Sequence, residues 1–128
     1  MGQPIVHFEI IGADPNRLRT YYAELFGWAF EGNSPVAPEV SRTDSYSFID
    51  RMTTPDGTGI PGGIGGGDGF RSRSIFYVGV ADVEAALQNA ERLGGTRVMG
   101  PARNEGGGIV VGHFTDPAGN LIGVAGPT

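Results

Sequence analysis

Residues Ile5–Phe30 and Arg73–Val98 follow one pattern, and this duplication constrains the fold more than any other feature of the chain. Shifting the sequence by 68 positions places Phe8 on Phe76, Ile10 on Val78, Asp14 on Asp82, Leu25 on Leu93 and Gly27 on Gly95. Each copy runs from a short apolar strand to a capping aspartate, then an amphipathic helix, a helix-stopping glycine and a further strand. One or two coincidences at a fixed offset arise by chance, but the same punctuation in the same order does not. The chain reads as two copies of one supersecondary unit.

The elements follow from local chemistry. Ile5–Ile11 alternates as a strand, with Val6, Phe8 and Ile10 on one side and His7, Glu9 and Ile11 on the other. Asp14-Pro15 opens a helix, because the carboxylate caps free amides and proline suits the first helical position. Leu18, Tyr21, Tyr22 and Leu25 recur at helical spacing, and Gly27 is the stop. Trp28–Glu31 is predicted as a strand, Gly32–Asp44 as a proline-rich loop lying over something, Tyr46–Met52 as a strand and Thr53–Gly57 as a turn. Gly59–Gly69 holds seven glycines in eleven residues. It reads as a weak strand near Thr58–Ile64 followed by a linker, or as disorder across Gly65–Gly69.

In the second copy, Phe76, Val78 and Val80 form one face of a strand, and Ile75, Tyr77 and Gly79 the other. Asp82 caps a helix in which Val83, Ala86, Leu87, Ala90 and Leu93 share a face. Thr96–Gly100 is predicted as a strand, Pro101–Gly108 as a loop, Ile109–Thr115 as a strand, Asp116–Gly119 as a hairpin turn and Leu121–Ala125 as the last strand. The fold class is therefore α+β, one domain over residues 1–128. It comprises two βαβββ modules, about 4–64 and 73–126, around a Gly-rich linker at about 65–72. Helices are expected on the outer face of open, curved mixed sheets, whose inner faces line a cavity.

Composition narrows the function. A net charge of −5 argues against nucleic acid and anionic membranes, which demand basic patches, and mildly favours a cationic ligand. With no cysteine there is no disulfide, thiolate metal site or cysteine nucleophile. No apolar run reaches transmembrane length, and MGQPIVHFEI has no basic stretch ahead of a hydrophobic one, so a cytoplasmic location is expected. The glycine cluster lacks the Gly-Lys-Ser/Thr element of a phosphate loop, and no nucleophile elbow is present.

The paired units, with YYAELFGW in the first, VADVEAALQNAERLGG in the second and FTDPAGN near the end, resemble the vicinal oxygen chelate superfamily. This group contains glyoxalase I, bleomycin-resistance proteins and extradiol dioxygenases, and the resemblance spans essentially the whole chain. In its metal enzymes four inner-face side chains hold one divalent ion. By that resemblance the ligand places fall on His7, on Ile75, near Gly62–Gly63 and on Gly123. Only His7 has a donor atom, so no metal and no other cofactor is expected, although Glu9 on the same face offers a second donor for a different kind of site. The resemblance also implies a homodimer.

His7 and Glu9 lie about 6.6 Å apart along one strand face, and the pair reads either as an acid and base or as structural groups in a cavity wall. Tyr77, the repeat-mate of Glu9, faces the same hollow as a ligand contact or a packed wall residue. Trp28, Tyr46 and Phe48 are the further ligand-binding candidates, on strands that roof such pockets. His113 follows a Val110-Val111-Gly112 run that does not alternate, and is read as a surface or hairpin residue. Arg42, Arg51, Arg71, Arg73 and Arg103 are read as flanking the loops, where any of them could clamp an anionic ligand but loop arginines usually stay in water.

Two functions remain open. One is a protein that sequesters a small aromatic or cationic compound. The other is a lyase, isomerase or dioxygenase-like enzyme acting on a small vicinally oxygenated or carbonyl compound.

Overall fold

Asp14 takes the capping role that its place before Pro15 implies, accepting a hydrogen bond from the Arg17 amide at 3.2 Å. Gly27 then closes that helix in the left-handed conformation, at φ 72°. Asp82 caps the second helix through the Ala85 amide at 3.0 Å. These features belong to a computed structural model that describes residues 2–49, 58–104 and 106–128. Its elements are β1 (Ile5–Gly12), α1 (Pro15–Phe26), β2 (Ser47–Phe48), β3 (Gly62–Gly66), β4 (Arg73–Gly79), α2 (Val83–Arg92), β5 (Thr96–Arg103), β6 (Ile109–Thr115) and β7 (Leu121–Pro127).

The described strands form one sheet in the order β2-β3-β1-β4-β7-β6-β5. The halves join at its centre, where β1 runs antiparallel to β4, and each has a parallel neighbour, β3 and β7. Reading outward from that joint, both copies place their strands in the same order. A bridge between Phe30 and Ile49 in the first copy occupies the position that β5 holds in the second. The α+β architecture of duplicated units is the one expected.

Helix α2 packs on the outer face, where Val83 and Leu87 meet Val78, Val110, Phe114 and Val124. Helix α1 lies over β1 and β3, but it buries only Pro15 completely and leaves Tyr21, Leu25 and Phe26 more than half exposed. On the inner face, Ile11, Tyr46 and Ala102 pack with Val36, Ala37 and Val40 of the 32–44 loop. That loop is a roof fastened by two serines. The Ser34 hydroxyl accepts from the Phe48 amide at 2.9 Å, and the Ser41 hydroxyl accepts from the Gly66 amide at 2.8 Å.

Several boundaries differ from expectation. The strand over Trp28–Glu31 shrinks to the Phe30–Ile49 bridge. Within Tyr46–Met52 the strand occupies Ser47–Phe48, while everything beyond Ile49, with Arg51 and the Thr53–Gly57 turn, lies outside the described residues. β5 continues through Pro101 to Arg103, since an edge strand tolerates a residue without an N–H.

The largest difference concerns the glycines. The weak strand expected near Thr58–Ile64 is a fully buried one at Gly62–Gly66, parallel to β1, so Gly65 and Gly66 belong to it rather than to a linker or a disordered stretch. Neighbouring side chains already occupy the space that its own would need. A Cβ on Gly62 would lie 2.3 Å from the Phe8 ring, and one on Gly63 would lie 2.2 Å from the Tyr46 hydroxyl. Bare backbone lets these rings close on the sheet from both sides.

Replacing Gly63 with alanine therefore displaces the Tyr46 ring and should lower unfolding free energy by about 1–3 kcal/mol. Gly32→Ala, whose Cβ meets nothing within 4 Å, should stay within about 0.5 kcal/mol of the parent. Urea unfolding of the two variants measures the difference, and equal stabilities would contradict the packing.

Candidate functional site

Alternation along β1 sends His7 and Glu9 to the inner face, and the register with β4 sets His7 opposite Tyr77 and Glu9 opposite Ile75. On the other side, Gly63 is the direct neighbour of both Glu9 and Phe48. The Tyr46 ring lies across Gly63 and Gly65 and reaches the carboxylate from that side. The Tyr77 ring lies across Gly123, where a Cβ would come within 2.5 Å of it. The two tyrosines thus converge on Glu9 from opposite flanks.

Glu9 is 2% exposed. The Tyr46 hydroxyl donates to its Oε1 at 2.9 Å, and the Tyr77 hydroxyl donates to its Oε2 at 2.9 Å. Arg73 Nη2 stands 3.5 Å from Oε2 and also donates to the Val40 carbonyl at 3.4 Å. His7 Nε2 is 3.1 Å from the Tyr46 oxygen, and His113 Nε2 is 2.8 Å from the Tyr77 oxygen. Each hydroxyl has one proton and gives it to Glu9, so each imidazole must present Nε2–H to its tyrosine. The result is one chain of hydrogen bonds, His7–Tyr46–Glu9–Tyr77–His113.

Burial shapes the proton affinities here. It pushes the Glu9 carboxyl up, against the two tyrosine hydroxyls and Arg73, which favour the charged form. Burial, and then the Glu9 charge, raise both tyrosines, so their hydroxyls stay protonated. Desolvation pulls His7 down to about 4, and it does the same to His113 with help from the Arg73 charge. Both rings are neutral at pH 7.

A cavity of about 360 Å³ lies between this cluster and the roof. Its polar lining comes from His7, Glu9, Tyr46, Tyr77 and Asn104, and its apolar walls include Phe48, Val36 and Val111. A larger groove of about 560 Å³ runs beside α2 on the outer face, but its carboxylates, Asp82 and Asp116, accept from the amides of the α2 cap and the 116–120 turn. Convergent polar groups on an apolar hollow mark the inner cavity as the candidate site.

Of the expected site residues, His7, Glu9, Tyr77, Tyr46 and Phe48 come together, and Phe48 sets its ring edge-on to His7 at 5.9 Å. Trp28 does not join them. The turn at Gly27 lays its indole on the helix side of the sheet, against Tyr22 at 5.2 Å, Phe26 at 5.3 Å and Phe8 at 5.6 Å.

His113 corrects the expectation of a surface residue, being 4% exposed and bonded to Tyr77. β6 does alternate: Val110, Gly112 and Phe114 face α2, and the Leu87 side chain fills the space beside Gly112. Counting that glycine as an apolar position would have shown the inward direction of His113. Arg73 is likewise no loop residue. It starts β4 and shares the inner face with Ile75 and Tyr77, which a strand begun one residue earlier would have indicated.

These residues do not fit the divalent ion of the family's metal enzymes. Ile75 and Gly123 offer no donor, and the space at Gly63 and Gly123 is filled by Tyr46 and Tyr77. Among the described residues no group of three or more His, Cys, Asp or Glu could hold a metal ion.

Comparison with known proteins agrees with the architecture. The family model described as Glyoxalase/Bleomycin resistance protein/Dioxygenase superfamily matches residues 4–124. No curated protein sequence matches the chain. A methylmalonyl-CoA epimerase of Streptomyces coelicolor, solved with 2-nitronate-propionyl-CoA, superposes with a TM-score of 0.65 at 17% identity over 98% of both chains. A Mycobacterium tuberculosis methylmalonyl-CoA epimerase gives 0.64 at 14% identity over 97% of this chain and 87% of its own. A hypothetical protein from Bacillus halodurans C-125 gives 0.66 at 12% identity over 100% and 96%. At these identities the likeness is one of fold.

The two buried imidazoles carry a pH signature. Their folded affinities lie below the ordinary 6.5, so the unfolded chain binds more protons between pH 6.5 and 4, and stability falls as pH drops through that window. Glu9, raised above its ordinary 4.5, takes up its proton earlier in the folded chain and opposes part of that loss. Carbon–proton NMR titration of the ring Cε1–H signals should give midpoints near 4 for both residues. A midpoint near 6.5 would place that ring in water.

Proposed function

The chain belongs to the Glyoxalase/Bleomycin resistance protein/Dioxygenase superfamily, and on that premise we propose that it sequesters a small aromatic or cationic compound in the Glu9 cavity without a bound metal. The observation that carries this reading is the tyrosine cage. Tyr46 and Tyr77 take the volume and the polar role that an ion and its ligands would have, and they leave an apolar hollow of about 360 Å³ above a fixed carboxylate. Such a hollow suits a ligand of one or two rings.

The same reading makes the chain a homodimer. Phe26 and Phe76 are 58% and 37% exposed and line one groove on the outer face, beside a helix α1 that buries little of its own apolar surface. A second copy would cover this face.

A second reading is an acid–base catalyst acting on a small carbonyl compound. It draws on the path from His7 through the Tyr46 hydroxyl to Glu9, a geometry in which two titratable groups share one hydroxyl. Turnover of a carbonyl compound with uptake of solvent deuterium, abolished in Glu9→Gln, would favour it over sequestration.

Thermal-shift screening of small ring compounds and amines should yield ligands that stabilise the fold, by about 2.7 kcal/mol at 100 times Kd. Val111→Phe, which fills the hollow, should abolish these shifts while retaining the folded spectrum. Ligands that stabilise that variant equally well would remove the assignment to this cavity. For the dimer, sedimentation should show twice the 13.4 kDa chain mass, reduced to the single mass in Phe26→Asp/Phe76→Asp.

A further inference from the structure

The hydrogen-bond directions around Glu9 restrict the ligand's chemistry. Both tyrosine hydroxyls spend their protons on the carboxylate, and both Nε2–H groups point at the hydroxyl oxygens. None of these donors is left for a guest. Among the described residues Oε1 accepts from Tyr46 alone, which leaves it an open lone pair, and His7 Nδ1 has no partner. Glu9 and His7 both line the cavity, so this end of it offers acceptors. The amide nitrogen of Asn104 is a separate group, beside Gly107 in the β5–β6 turn.

Charge decides between the two classes of guest. Glu9 has the Arg73 guanidinium 3.5 Å away, so its negative charge, when present, is already balanced. A cation entering the apolar hollow would lose its water and meet a carboxylate whose charge is already matched, with Arg73 repelling it. An anion would face acceptor lone pairs. Tyr46, Tyr77, Phe48 and His7 contribute rings to the wall, which suits a flat guest.

We propose that the ligand is a neutral one- or two-ring aromatic compound whose O–H or N–H donates to Glu9 Oε1 or His7 Nδ1. This rests on the sequestration reading and narrows it, choosing the neutral aromatic class over the cationic one.

The test is calorimetric titration of the full chain at pH 7.5 with four similar probes: 4-ethylphenol, 4-ethylanisole, 4-ethylbenzylamine and 4-ethylbenzoate. Histidine ring signals are followed by NMR in the same samples. The phenol should bind about tenfold more tightly than the anisole, the value of one hydrogen bond to a buried acceptor. The amine and the benzoate should bind more weakly than the phenol, and phenol binding should move the His7 ring signals. Tighter binding of the amine would overturn the neutral class but leave sequestration standing. Equal affinities of phenol and anisole would overturn the donor requirement, and unmoved His7 signals would place the guest elsewhere. Failure of all four probes to bind would remove this inference and count against sequestration as well.

Discussion

A carboxylate with almost no exposure, set against apolar walls, is destabilising by several kcal/mol unless partners surround it. Glu9 is in that position, and much of the inner architecture provides the partners. Tyr46 reaches it across strand β3, and Tyr77 and Arg73 both come from β4. Each tyrosine in turn needs open space beneath its ring, which Gly63, Gly65 and Gly123 leave. The glycine-rich strand and the buried charge therefore belong to one solution, because the first admits the ring that stabilises the second.

The duplication supplies the frame for this cluster and then departs from symmetry. Both copies give their first strand to the central joint, and both order the remaining strands outward in the same way. Yet equivalent positions hold different chemistry: Glu9 is matched by Tyr77, and His7 by Ile75. One copy contributes the acceptor and the other a donor to it. A symmetric pair of carboxylates at this joint would repel each other, whereas the carboxylate–hydroxyl pair forms a 2.9 Å hydrogen bond.

The fold was legible because its signals are local and repeated. Asp14 and Asp82 announce helix starts, Gly27 a stop, and the alternation of β1 assigns His7 and Glu9 to one face without any tertiary knowledge. What the sequence obscured depends on the absence of side chains. The extent of the Gly62–Gly66 strand has no periodicity to fix it, since the packing there comes from Phe8, Ser41 and Tyr46, which lie far away in sequence. Gly112 hid the direction of His113 in the same manner, its place being filled by Leu87. Trp28 went to the helix side because a left-handed turn, rather than strand alternation, aims it. The hydroxyl chain could be anticipated only in its membership, because its distances depend on ring positions that these glycines permit.

The nesting of Tyr46 over Gly63 also bears on how such a cavity changes through descent. A coordinating side chain at position 63 cannot enter while the tyrosine holds its space, and a smaller residue at 46 alone leaves Glu9 short of a donor and the strand with a void. Either single step passes through a less stable protein, so the two sites are epistatic and must move together or in a compensated order. A lineage that adopts this arrangement is held in it by sterics, and position 63 stays bare for as long as Tyr46 lies across it.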